Sequence, residues 1–260
     1  TQYTSSAASD VYKRQVGSIA GLGESKAIIV GHDWGGPVAW YSALMRPDIF
    51  TAVAVLSVPF NPPFPLPNGV NLNDVMFQAA AGRQYYRLFF QDPGVAEADF
   101  EKDVRKSMLG VLYSFSGDIV RDGVHIVGWD GHFPRNETMS EQLILPEKLP
   151  IWLTEEDLAF YVKEHSSTGF SGGFNWYRNI KRLPSHLAPF IGKSLDQPAL
   201  YLYGEHDLVA GNTQEAIDVM KTSLPDLRKC VKFDGAGHWL QQERAEEVNQ
   251  ELINFLQSVN

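Results

Sequence analysis

The stretch Lys26-Ala27-Ile28-Ile29-Val30-Gly31-His32-Asp33-Trp34-Gly35-Gly36 decides the fold. Ala27 to Val30 is a short, apolar, β-branched run, the pattern of a strand covered on both faces, and Gly31 ends it. Asp33 stands at the strand end, and from Pro37 to Met45 apolar residues return on a wide helical face closed by Arg46-Pro47. Small residues two before Asp33 and two and three after it predict a sharp strand-turn-helix in which larger side chains would clash. Such a turn lifts the carboxylate above a sheet and aims N–H groups of the helix N-terminus at whatever it attacks. An Asp ahead of a helix can also be its N-cap. The flanking glycines and the partners found further along the chain favour a nucleophile. His32 is expected to point the other way along the strand-like segment, in a structural role.

Outward from this turn, Ala52 to Val58 reads as a second buried strand, and the pattern returns at Ala199–Tyr203 and Lys229–Phe233, with helices near Gln214–Thr222 and Ala245–Val259. Strands alternating with helices predict an α/β chain with a parallel sheet. Between the second and third strands lies a proline-dense loop, NPPFPLPNG. Polar amphipathic helices follow around Tyr85–Phe90, Glu97–Tyr113 and Glu155–His165, with an irregular stretch over 117–150. The expected organisation is therefore a core from 16–60 and 191–260 with a helical cap inserted over 61–190. Residues 1–15 carry no pattern and read as a leader outside the fold.

In an open parallel sheet the carboxyl ends of the strands share one edge. The loops Tyr203-Gly204-Glu205-His206-Asp207 and Gly235-Ala236-Gly237-His238-Trp239 follow the third and fourth strands, so Asp33, Asp207 and His238 can meet there. Asp207 would hold one tautomer of His238, which would then take a proton from water. Glu205 and His206 compete with Asp207, and only its distance past the strand favours Asp207.

The remaining composition is restrictive. The chain has 260 residues, with 31 acidic against 22 basic ones and a net charge of -9, which repels phosphate backbones and anionic lipid. Nucleic acid is not expected as a partner. The single cysteine, Cys230, cannot form an internal disulfide, and no Cys/His cluster has zinc-ligand spacing, so no metal is expected and a reducing compartment fits. No apolar run approaches the roughly 20 residues of a membrane span, and no secretory signal begins the chain. A soluble, cytoplasmic protein is expected.

With those residues in hand, the chain resembles the epoxide hydrolases of the α/β-hydrolase fold over about Val16 to Leu256. The resemblance rests on VGHDWGG, YYRLFFQDPGVAEADFE, LTEEDLAFYV, TGFSGGFNWYRN, GEHDLV and GAGHW. It implies the α/β-hydrolase fold with a helical cap, no cofactor, and a small-molecule epoxide and water as the partners. Asp33 would be the nucleophile, Asp207 and His238 the acid and base, and Tyr86 and Tyr177 the cap tyrosines that bind the epoxide oxygen. Trp34, Phe60 and Trp239 would touch substrate. Haloalkane dehalogenases share the elbow, but a halide leaves without a proton and needs no phenols. The resemblance also implies several strands and an HGxP-type loop ahead of the elbow. Nothing before Val16 matches these, so the chain reads as the C-terminal part of such an enzyme and, taken alone, as an inactive fragment.

Overall fold

The computed structural model describes residues 7–65, 70, 77, 82–125, 129–209 and 214–259. Residues 1–6 of the expected leader, 66–69 of the proline-dense loop and 126–128 of the irregular stretch lie outside them. Contacts divide the chain into two compact units, Thr1–Pro65 with Pro184–Asn260, and Leu66–Leu183. Among the described residues the strands are β1 (Ala27–His32), β2 (Phe50–Leu56), β3 (Gln84–Tyr85), β4 (His132–Phe133), β5 (Ala199–Gly204) and β6 (Leu227–Phe233).

In the first unit a parallel sheet has the order β1-β2-β5-β6. The alternation of β2 feeds two cores. Val53 and Val55 face Trp40, Tyr201, Ile217 and Met220, whereas Ala52, Ala54 and Leu56 face Leu200, Leu202, Leu240, Val248 and Phe255. The helices Gly35–Met45 and Gln214–Ser223 thus cover one face, and Leu240–Glu243 with Ala245–Ser258 cover the other. Two-sided covering is what a continuous apolar strand requires. Register aligns the strand ends: His32 lies opposite Leu56, Leu56 opposite Leu202, and Gly204 opposite Phe233.

Two expectations need correction here. Among the described residues β1 is covered on one face only: Val30 remains 48% exposed while Ile29 is buried. An apolar run reports hydrophobicity but not which elements cover it. Nor is the stretch read as a leader wholly without pattern: a helix spans Ala7–Gly21 and crosses the expected boundary at residue 15. Alanine, lysine, arginine and glutamine in this stretch are good helix formers, and Val16 and Ile19 pack against the first core.

The second unit is helical, with β3 and β4 forming a short antiparallel ribbon. Where one helix was expected over Glu97–Tyr113 there are two, Val95–Phe100 and Val104–Ser114. Asp103 causes the break: its extended backbone and its carboxylate, which accepts from Lys106 N at 2.9 Å, start a new helix. Phe90, Phe100, Phe170 and Phe174 form the aromatic centre of this unit, with Phe90 stacked on Phe174 at 4.4 Å. No helix among the described residues is long and apolar enough to cross a membrane.

Candidate active site

Asp33 directly follows β1 and has a left-handed backbone, φ 50°. A non-glycine residue rarely adopts this conformation, and it persists only where surroundings enforce it. The surroundings are the glycines. A Cβ on Gly31 would run into the backbone of Gly35, and one on Gly36 would lie 2.9 Å from Val55 Cγ1. Asp33 does not cap the helix Gly35–Met45, whose capping residue is Trp34 and which has no side-chain cap bond. Its Oδ2 accepts from the Trp34 N–H at 2.6 Å, and Oδ1 lies 3.3 Å from His238 Nε2. The Asp33 side chain keeps 30% of its exposure, enough for a small molecule to reach it.

Asp207 is fully buried three residues past β5, with Oδ1 3.1 Å from His238 Nδ1. Its competitors are occupied elsewhere: Glu205 accepts from Gly235 N at 2.9 Å and pairs with Lys232. The His206 N–H donates to Ala236 O at 2.9 Å, which zips the two loops together. Gly204 permits this approach, since a Cβ there would collide with the Gly237 and Ala236 carbonyls.

His238 therefore lies between two carboxylates. Burial alone would lower its pKa, but Asp207 and Asp33 outweigh burial and hold it well above the ordinary histidine value. The same cation has the reciprocal effect on its partners. Burial would raise both acids, yet His238 keeps Asp33 and Asp207 below the usual carboxylate range, with Trp34 N–H aiding Asp33.

Three further residues belong to this cluster. His32 does not point away: its Nε2 donates to the His238 carbonyl at 2.8 Å, and the two rings lie 4.6 Å apart. The strand ends at His32, so strand alternation no longer governs its side chain. Ser57, one residue past β2, is buried with a left-handed φ of 77°, and its Oγ lies 3.1 Å from His238 Nδ1. Tyr201 holds this turn by donating its hydroxyl to Ser57 O at 2.7 Å. Glu243 accepts from the N–H groups on both sides of His238, Gly237 and Trp239, each at 2.9 Å. Ser57 had one legible signal, its place one residue past a buried strand on the reactive edge. Glu243 had none.

Of the expected substrate contacts, Trp239 has its ring 4.7 Å from that of His238, and Trp34 follows Asp33 directly. Phe60 is completely buried, packed on Trp40 at 5.6 Å and Tyr41 at 6.3 Å. That is a core position, which the proline-dense loop beside it concealed.

Tyr86 and Tyr177 meet within the second unit, with ring centroids 5.7 Å apart at 75°. Arg178, next to Tyr177, braces the pair by donating from both terminal nitrogens to Glu97, at 2.8 and 2.9 Å, and from Nε to Phe90 O at 2.9 Å. Gln91 donates to the Tyr177 carbonyl at 3.1 Å. Separate helices carry the two phenols, and this network joins them.

A parallel sheet covered on both faces, with an acid-histidine-acid set at its carboxyl edge, defines the α/β-hydrolase class. A family model described as alpha/beta hydrolase fold matches residues 1–245, which includes the stretch read as a leader. Epoxide hydrolase A of Mycobacterium tuberculosis is 35% identical over 244 residues, covering 93% of this chain and 72% of that protein. Epoxide hydrolase 1 of Siraitia grosvenorii is 34% identical, covering 93% of this chain and 72% of its own length. Among solved structures, an epoxide hydrolase from an endophytic Streptomyces superposes with a TM-score of 0.88 at 35% identity, covering 95% of this chain and 73% of that one. The chain belongs to the epoxide hydrolases of the α/β-hydrolase fold.

Proposed function

We propose that the protein converts epoxides to vicinal diols through an ester on Asp33, and the observation carrying this reading is the placement of the two Asp33 oxygens. Oδ2 is held by the Trp34 N–H, and Oδ1, which lies 3.3 Å from His238 Nε2, is the oxygen that attacks an epoxide carbon. The carbon–oxygen bond of the epoxide breaks as the ester bond forms, and the departing oxygen takes a proton from Tyr86 or Tyr177. A neutral phenol suits this step because its ordinary pKa is about 10, so it remains a donor at pH 7.

Esterification removes the Asp33 charge. One of the two anions that keep His238 protonated is then gone, and the imidazolium can lose its proton, which returns through solvent to the phenolate. Neutral His238, oriented by Asp207, takes a proton from water. The resulting hydroxide attacks the ester carbonyl, whose oxygen is the atom already held by Trp34 N–H. The acyl–oxygen bond breaks, His238 gives its proton to the departing diol oxygen, and the new Asp33 carboxyl, carrying one oxygen from water, passes the second water proton to His238, which restores the carboxylate and the imidazolium. The single cysteine, Cys230, which cannot form an internal disulfide, fits a reducing compartment such as the cytoplasm.

Single turnover in heavy-oxygen water tests the central step. The first diol should contain ordinary oxygen from Asp33, and the label should appear in the carboxylate. Label entering the first diol directly would show water attacking the epoxide and defeat the assignment.

A further inference from the structure

Arg87, the residue after Tyr86, donates from Nε to the Tyr86 hydroxyl oxygen at 3.0 Å. Its guanidinium carbon lies 5.6 Å from the centre of the Tyr86 ring and 5.8 Å from that of Tyr85. We propose that Arg87 is a positioning residue for Tyr86, which aims the phenol hydrogen at the epoxide oxygen and makes that hydrogen easier to give up. This rests on the reading of Tyr86 as a proton donor to the epoxide.

The geometry supports it in two ways. A phenol oxygen that accepts from a guanidinium must direct its own hydrogen elsewhere, so the donor direction is chosen before substrate binds. A charge-assisted hydrogen bond also strengthens as negative charge develops on the phenol oxygen, when the proton moves to the opening epoxide. The ring itself is fixed. Tyr86 N donates to Gly131 O at 2.9 Å, and a Cβ on Gly131 would lie 2.7 Å from the Tyr86 ring. Burial would lower the Arg87 pKa, but the phenols of Tyr86, Tyr85 and Tyr177 hold it above its ordinary value. Among the described residues, titratable and charged groups beside Tyr86 include Arg87, Tyr85 and Tyr177. One ring further out, His132 stacks on Tyr85 at 4.6 Å, with Asp130 and Arg83 paired beside it.

The test is single-turnover ester formation with styrene oxide, followed by protein mass, in the intact protein. Arg87→Met should slow alkylation about 10- to 100-fold, the worth of one charge-assisted hydrogen bond, and should move the alkaline limb of its pH profile upward. Arg87→Gln keeps an N–H donor without the charge and should fall between parent and Arg87→Met. In a Tyr86→Phe background, Arg87→Met should cost nothing more, because the group it acts on has gone. An equal loss in both backgrounds would make Arg87 a general structural residue and overturn the proposal, as would parental alkylation in an Arg87→Met protein that melts normally. If Tyr86→Phe alone alkylates at the parental rate, the phenol reading fails first and takes this inference with it.

Discussion

The imidazole of His32 packs 4.6 Å from that of His238, and its Nε2 donates to the His238 carbonyl at 2.8 Å. The residue before the nucleophile thus holds the backbone of the base, and a direct path runs from the elbow to the histidine loop. Burial, and then the His238 cation, lower the pKa of His32, so it is neutral near pH 7 and keeps a single N–H for this bond. His32→Phe preserves the ring and deletes the donor. Ester hydrolysis should slow about 2- to 10-fold, the net worth of one neutral hydrogen bond. Unchanged hydrolysis in a variant that melts like the parent would reduce the contact to packing.

His238→Gln should separate the two chemical steps. The histidine acts on water only after the ester exists, so alkylation should proceed and the ester should persist. Intact-protein mass spectrometry should find the chain heavier by one epoxide. No adduct despite bound substrate would argue that the His238 cation is needed to orient Asp33 for attack.

Ser57 combines a left-handed backbone with a hydroxyl 3.1 Å from His238 Nδ1. It is also among the groups that hold Asp207 ionised. Ser57→Gly relieves the backbone and removes the hydroxyl, whereas Ser57→Ala keeps the strain. Both should slow ester hydrolysis about 10-fold, from one hydrogen bond to a charged group. Glycine should be more stable than alanine by about 1 kcal/mol, at the low end for a strained non-glycine position. Kinetics at the parental rate in both variants would dismiss the hydroxyl, and equal melting of the two would dismiss the strain.

Glu97 makes an acid-sensitive contribution to the second unit. The Arg178 guanidinium beside it, aided by Ser171 and the Gly94 N–H, pulls its carboxyl down to about 2. A carboxylate whose folded pKa lies below its unfolded value stabilises the fold above the unfolded value, 4.5, and loses that contribution as pH falls toward about 2. Arg178→Met should therefore unfold more easily than the parent at pH 7, and the gap should close between these two pH values. Urea titrations across this window measure it. A gap independent of pH would mean that Arg178 stabilises through its packing and its bond to Phe90 O rather than through Glu97.

What was legible in the sequence was local. The elbow could be read from Gly31, Asp33, Gly35 and Gly36 because a Cβ clash between a strand and the helix that follows involves residues within a few positions of each other. The two-sided burial of β2 and the reactive edge followed from an apolar run and from strand polarity, which are also properties of short segments. The break at Asp103 escaped because an acidic residue in an amphipathic pattern looks like one more solvent-facing position until its carboxylate is seen capping Lys106 N. Tertiary structure alone brought Asp207 within hydrogen-bond reach of His238, where distance past the strand had only favoured it over Glu205 and His206, and set His32, Ser57 and Glu243 around that histidine. Each depends on loops from different strands approaching within hydrogen-bond distance. That approach is set by sheet register and by the close contact at Gly204, and no spacing along a single segment encodes it.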